Sequence, residues 1–163
     1  AMESKADFQN IVPTIVKMPA IESFYIRNKG YNVNITETWQ KLQTWVLTNN
    51  ISSYKRIALF HDNPTITPLN ECQYIGCIMV EDKKSVKSDR LPNFKIAEGV
   101  YAKFDLKGKT GDVLPFIHWV YHEKKKKSEY ETTTKPSYAI YHKLDFFDEN
   151  NEFDLSFYVS INF

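Results

Sequence analysis

The residues of this chain best suited to chemistry are tyrosines that alternate with apolar neighbours. In Ser23-Phe24-Tyr25-Ile26-Arg27, Tyr101-Ala102-Lys103-Phe104-Asp105 and Ser156-Phe157-Tyr158-Val159-Ser160, every second residue is apolar and the others are aromatic, polar or charged. Strand geometry turns that alternation into two faces. Phe24 and Ile26, then Val100, Ala102 and Phe104, then Leu155, Phe157, Val159 and Ile161 form faces that pack on a core. The opposite faces carry Tyr25, Tyr101 and Tyr158 among Ser, Lys, Arg and Asp. A tyrosine supplies apolar ring area together with a hydroxyl that a half-wet cavity satisfies. The chemistry implied is therefore non-covalent recognition. The totals agree, with 10 Tyr, 11 Phe and 3 Trp making 15% of the chain, although strands also favour aromatics for packing alone.

Other chemistries find weaker footing. His118 and His122 stand at i and i+4 with Glu123 adjacent, a spacing that brings two imidazoles within reach of one metal. The Glu placement of a metalloprotease helix is missing, so a solvated helix face is the preferred reading and neither metal nor cofactor is expected. Lys124 to Lys127 is a short basic run without interleaved aromatics, unlike a surface that tracks nucleic acid. No Gly-rich phosphate loop, GxSxG elbow or CxxC pair occurs. Cys72 and Cys77 are an odd number of positions apart on one expected strand, which puts them on opposite faces as reduced, structural thiols.

The elements that must position the tyrosines come in one order, twice. The strand Ile21–Arg27 leads to a Lys29-Gly30 turn, a helix through Trp39, Leu42 and Trp45, and strands near Ile57 and Ile75. The strand Val100–Asp105 leads to Lys107-Gly108, a helix through Ile117, Trp119 and Val120, and strands near Ile140 and Phe157. The first helix is expected over about Ile35–Thr48, with Asn34 and Glu37 as a capping box and Ile35, Trp39, Leu42 and Val46 on one stripe. Thr110 or Asp112 caps the second, where Pro115 is tolerated only in the first turn. Polar, aperiodic Glu81–Pro92 reads as the connection between the halves. Seams between packed units are where small-molecule pockets form.

With 163 residues the chain fits one domain, and its 21 basic against 20 acidic residues steer it toward neither nucleic acid nor anionic membrane. Residues 1–13 are expected as an N-terminal extension whose Ala1 is left over from expression. Residues 14–163 are expected as one domain, with repeat one at about 14–81 and repeat two at about 93–163. No apolar run reaches the roughly 18–20 residues of a membrane span, and no secretory pattern opens the chain. The expectation is a cytoplasmic protein.

Several stretches resemble the GyrI-like small-molecule-binding domain of gyrase-inhibitor-like proteins and multidrug-sensing transcription regulators. They are Met18-Pro19-Ala20, Trp39 with Leu42, His61-Asp62-Asn63-Pro64, Gly99-Val100-Tyr101-Ala102 with Gly108, Ser128-Glu129-Tyr130-Glu131, Pro136-Ser137-Tyr138-Ala139-Ile140-Tyr141 and Asp154-Leu155-Ser156-Phe157-Tyr158-Val159. The similarity covers about residues 14–162. It implies a bacterial α+β fold of two strand-helix-strand-strand repeats with pseudo-two-fold symmetry, antiparallel sheets and a central groove. It also implies a stand-alone binder of diverse, lipophilic, cationic aromatic compounds, held between aromatic rings and balanced by an acid.

By parity and resemblance the expected ring contacts are Tyr25, Phe60, Tyr101, Tyr141 and Tyr158, with Trp119 a further candidate. Many relatives carry Glu where this chain has Ala139. Asp105, Glu81 and Glu98 are the candidates to replace it, and Asp105 has the right parity. Two other functions remain. Some relatives are hydrolases that open reactive rings with the groove Glu, against which Ala139 argues because acid-base catalysis needs a titratable group in reach. The family name also suggests a modulator of gyrase or another protein. No helix-turn-helix segment accompanies the matching region, so direct DNA binding is not expected.

Overall fold

Alternating sequence becomes strand throughout the computed structural model, which describes residues 11–82, 84, 86, 91–109, 113–122, 131–143, 146–147 and 150–162. The order is β1 (Thr14–Met18), β2 (Ile21–Lys29), α1 (Ile35–Thr48), β3 (Tyr54–Phe60), β4 (Gln73–Val80), β5 (Asn93–Ile96), β6 (Gly99–Lys109), α2 (Val113–His122), β7 (Glu131–Thr132), β8 (Ser137–Tyr141) and β9 (Glu152–Asn162). All pairings are antiparallel. They join the strands in the order β1-β6-β9-β8-β3-β4-β2-β5, with β7 added to β9.

The two repeats, β2-α1-β3-β4 and β6-α2-β8-β9, meet at the β3–β8 ladder, where Ala58 faces Ala139. Outward from that pair the registers make Gly76 the counterpart of Phe157, Ile26 of Phe104 and Arg27 of Asp105. His61 and His142 correspond in the same way. The sheets of the two repeats thus fuse into one.

β1 and β5 were not among the expected strands. β1 precedes β2 yet pairs with β6, and β5 precedes β6 yet pairs with β2, so each repeat lends its leading strand to the other. Only Pro19 and Ala20 separate Met18, beside Gly99, from Ile21, beside Ile96. Three chain steps span at most about 11 Å, so opposite ends of the sheet are drawn together and it curls into a half-barrel. The curl is toward the face of Tyr25, Leu59, Ile75 and Tyr101, because these residues of β2, β3, β4 and β6 line one cavity despite the strands between them.

Both helices pack on the other face. α1 buries Trp39, Leu42, Trp45 and Val46, as its stripe predicts. α2 buries Phe116, Ile117 and Val120. The core has two parts: a larger one between helices and sheet, with Phe60, Phe104, Phe157 and Ala139, and a smaller one inside the curl, with Ile57, Leu59, Tyr101, Tyr138 and Tyr158. Cys72 precedes β4 and, contrary to expectation, does not share its strand with Cys77; the two still fall in different parts of the core, and both are free. Burial pushes the thiols up, to about 11 for Cys72 and about 12 for Cys77.

Two local expectations are corrected. Lys107-Gly108 is not a turn, because β6 continues to Lys109. Gly108 pairs with Phe153, while Lys107 reaches Asp154 at 3.7 Å and Lys109 reaches Glu152 at 3.1 Å. Asn34 makes no capping-box hydrogen bond. It adopts φ 59°, a left-handed conformation Asn tolerates, and the Asn28 amide holds the preceding turn by donating to Gly30 O at 3.0 Å and Val33 O at 2.8 Å. Thr110, Asp112, Lys124–Lys127 and Ser128–Tyr130 lie outside the described residues.

Gly76 sits directly beneath α1, where a Cβ would lie 2.7 Å from Leu42 Cδ1 and 3.1 Å from Thr38 Cγ2. Its counterpart in the other repeat is Phe157, so α1 approaches the sheet more closely than α2 does. Gly76→Ala is expected to lower stability by about 1–3 kcal/mol through overpacking, read as a lower urea midpoint. An unchanged midpoint would show that α1 can lift off without cost.

Candidate functional site

The helix-covered face holds a cavity of about 210 Å³ between the repeats, lined by Ile35, Thr36 and Trp39 of α1, Val113 of α2, Arg56, Tyr141, Lys143, Phe146, Phe147 and Asn151–Asp154. Alternation in β3 turns Arg56 toward the helices with Ala58 and Phe60. It is 5% exposed and is the only charged side chain among the buried described residues. Burying a charge is costly without compensation. Here the guanidinium carbon lies 4.9 Å from the Trp39 ring centre, 4.6 Å from Tyr141 and 4.9 Å from Phe146. Each such contact is worth about 0.5–2 kcal/mol. Nη1 also donates to Lys143 O at 3.3 Å and Nη2 to Phe146 O at 3.4 Å. Trp39 Nε1 donates to the Tyr74 hydroxyl at 2.8 Å, which in turn is hydrogen-bonded to Tyr141. Burial pushes Tyr141 up, and the Arg56 charge pulls it partly back. This is an aromatic cage whose centre holds a cation of the chain's own.

Inside the curl lies a second cavity, of about 310 Å³. Its walls are Tyr25, Leu59, Ile75, Phe94, Ile96 and Tyr101, and Arg27, His61, Lys95, Ala97, Lys135 and Pro136 complete its lining. Tyr25 meets Phe94 edge-on at 5.0 Å, and the Tyr101 hydroxyl donates to Ala97 O at 2.6 Å. Beside the cavity, Tyr138 stacks on Tyr158 at 4.9 Å and meets Tyr101 at 5.3 Å. The Tyr138 hydroxyl is buried with no hydrogen-bond partner among the described residues, and its burial pushes the group well up.

The other half of the same face carries a linear chain of polar groups. Asp154 Oδ1 lies 2.6 Å from His142 Nδ1, and His142 Nε2 lies 2.8 Å from Ser156 Oγ. These are the spacings of a Ser-His-Asp triad. Ser156 nevertheless donates its proton to Asp105 Oδ1 at 2.5 Å and is 1% exposed, so its oxygen is not presented as a nucleophile. Lys103 stands 3.8 Å from Asp105 and Lys107 3.7 Å from Asp154. The hydrogen bond from His142, aided by its charge and by nearby lysines and opposed by burial, holds the Asp154 carboxyl below its usual range.

The seven residues singled out from sequence do not form one set. Tyr25 and Tyr101 line the inner cavity, and Tyr158 lies beside them on the same face. Asp105 also faces inward, but in the polar chain of the other half. Phe60 and Tyr141 are on the opposite, helix-covered face, because β3 and β8 turn Ala58, Phe60, Ala139 and Tyr141 the same way. Phe60 is packed among Tyr31, Tyr74 and Phe157, and Trp119 stacks on Phe116 at 6.0 Å, so neither lines a cavity described above. Ala139 faces the helices too, so the acid it replaces would serve the interhelix side. Arg56, Phe146, His142 and the basic lining were missed. Only the parity of β3 offered a sign, by placing Arg56 in register with Phe60. Among the described residues no group of three or more His, Cys, Asp or Glu could hold a metal ion, and no helix is long and apolar enough to cross a membrane.

A family model described as GyrI-like small molecule binding domain matches residues 12–161. Among solved structures, the C-terminal domain of EcmrR superposes with a TM-score of 0.68 at 13% identity, covering 94% of this chain and 99% of that one. SAV2435 bound to tetraphenylphosphonium gives 0.64 at 9% identity, covering 92% and 93%. A hydrolase encoded by lin2189 from Listeria innocua gives 0.62 at 10% identity, covering 95% of each chain. At these identities the likeness is one of fold. A search of curated proteins finds no match to the sequence.

The lowered Asp154 carboxyl makes an acid-range test. An unfolded carboxyl titrates near 3.9, so the stabilisation is fully present above about pH 4 and is lost as pH falls through the lower folded value. Urea midpoints of the wild type and Asp154→Asn, measured from pH 7 to pH 2.5, should differ at neutral pH and converge below about pH 4. Curves that stay parallel would remove His142–Asp154 from the stabilising contacts.

Proposed function

Because the chain belongs to the GyrI-like small-molecule-binding domain family, we propose that it takes up lipophilic aromatic compounds in the cavity between its two helices. The supporting observation is the ring cluster of Trp39, Tyr141 and Phe146 around an interior space lined by both repeats. Apolar area removed from water supplies the affinity, at about 25 cal/mol per Å². The rings favour flat aromatic ligands through edge and stacking contacts. At about 210 Å³ the space suits a two-ring compound. Phe146 and Phe147 line it, so larger ligands require these rings to move.

The family resemblance implies cationic ligands. In this cavity the Arg56 guanidinium stands where such a charge would lie against the rings, and Ala139 supplies no carboxylate. Glu152 and Asp154, which also border the space, are engaged by Lys109 and by His142 with Lys107. The cavity thus favours neutral aromatic ligands over cationic ones. The hydrolase reading has Asp105 as its acid, and that residue is tied to Ser156 and Lys103 on the other face of the sheet.

Isothermal calorimetry with 2-naphthamide should give saturable binding. Phe146→Ala should weaken it roughly twofold to tenfold, since one aromatic pair contributes about 0.5–1.5 kcal/mol. A titration without saturation, or affinity indifferent to Phe146, would count against the interhelix cavity as the site.

A further inference from the structure

The inner cavity differs from the interhelix one in the sign of its surroundings. Arg27 of β2, His61 after β3, Lys95 of β5 and Lys135 before β8 all border it, and its lining contains neither Asp nor Glu. Among the described residues neither Arg27 nor Lys135 takes part in an ion pair, and Lys95 meets only the exposed Glu22, at 4.0 Å. Walls of Tyr25, Phe94 and Tyr101 lie beneath this basic rim.

The pseudo-symmetry sharpens the contrast. The position of Arg27 in repeat one is that of Asp105 in repeat two. The acids of the inner face are thus gathered in the other half, where Asp105 and Asp154 are already held by Ser156, His142, Lys103 and Lys107. Tyr138 flanks this cavity without lining it: its ring packs against Tyr101 and its strand position faces Leu59, two residues of the cavity wall.

We propose that the inner cavity of repeat one is a second binding site, on the face of the sheet opposite the interhelix cavity, that takes planar aromatic acids. The rings hold the aromatic system by stacking and edge contacts. Arg27 and Lys135 attract the carboxylate, Arg27 by a two-pronged hydrogen bond that lysine cannot match. The site rests on its own lining residues and not on the interhelix reading.

The test uses 2-naphthoate, 2-naphthamide and 2-naphthylmethylammonium, which share one ring system and carry charges of −1, 0 and +1. Calorimetry at low salt should rank them in that order, with the carboxylate bound roughly fivefold to tenfold tighter than the amide, as expected for charges near a protein surface. Raising NaCl to 0.5 M should shrink that preference. The double variant Arg27→Gln/Lys135→Gln should bring it close to one, and Tyr25→Ala should weaken naphthoate binding severalfold. Equal affinities, or tightest binding of the ammonium, overturn the proposal. So does a carboxylate preference that survives Arg27→Gln/Lys135→Gln and disappears in Arg56→Gln, because the acid would then be read between the helices. Loss of Phe146-dependent amide binding overturns only the interhelix reading, since Phe146 is on the other face.

Discussion

Both faces of this molecule depend on four backbone pairs, Ile57–Ile140 through Phe60–Ser137, which fuse the two repeats into one sheet. Side chains alternate with a period of two, so the register of β3 and β8 decides what faces the helices and what faces the curl. It sends Arg56 and Tyr141 to one side and Leu59, His61 and Tyr138 to the other. A slip of one residue would exchange them. The small Ala58 and Ala139 at the centre of the seam let flanking rings from both repeats, Phe60 and Phe157 among them, close over it.

A symmetric backbone here carries asymmetric chemistry. Equivalent positions hold Arg27 and Asp105, Tyr25 and Lys103, Gly76 and Phe157. Each exchange alters charge or volume without altering the ladder, because a β-ladder is built from main-chain groups that every residue except proline supplies. Duplicated halves are free to diverge in this way wherever a side chain enters a cavity. The result is one cage filled by the chain's own guanidinium and one basin bordered by basic groups.

Most of the fold was legible in the sequence. The stripe Ile35, Trp39, Leu42, Val46 marked α1 to the residue, and strand alternation separated the two faces of β2, β6 and β9 correctly. Those signals are local, since amphipathic periodicity follows from the burial of one face. β1 and β5 escaped because they are short and their partners lie some eighty positions away; nothing in Thr14–Met18 names β6. Gly108 was misplaced because a Lys-Gly pair reads as a turn until two facing acids extend the ladder past it. Parity placed Tyr25, Tyr101 and Tyr158 together on the inner face. Phe60 and Tyr141 were put in the same company although their strands turn them the other way. Arg56 went unnoticed because its cage draws rings from α1, β8 and the segment beyond it, a grouping that only tertiary structure assembles.

The exchanged leading strands have a further meaning. Repeat arrays such as solenoids can add units indefinitely, since each unit offers the next the same kind of surface. Here each unit gives its first strand to its partner and receives one in return, so the exchange is complete at two. A third copy would find no leading strand on offer, so the exchange is closed although β1 and β5 still end the sheet. The architecture is a closed pair for the same reason that a two-fold dimer is closed, with both members written into a single polypeptide.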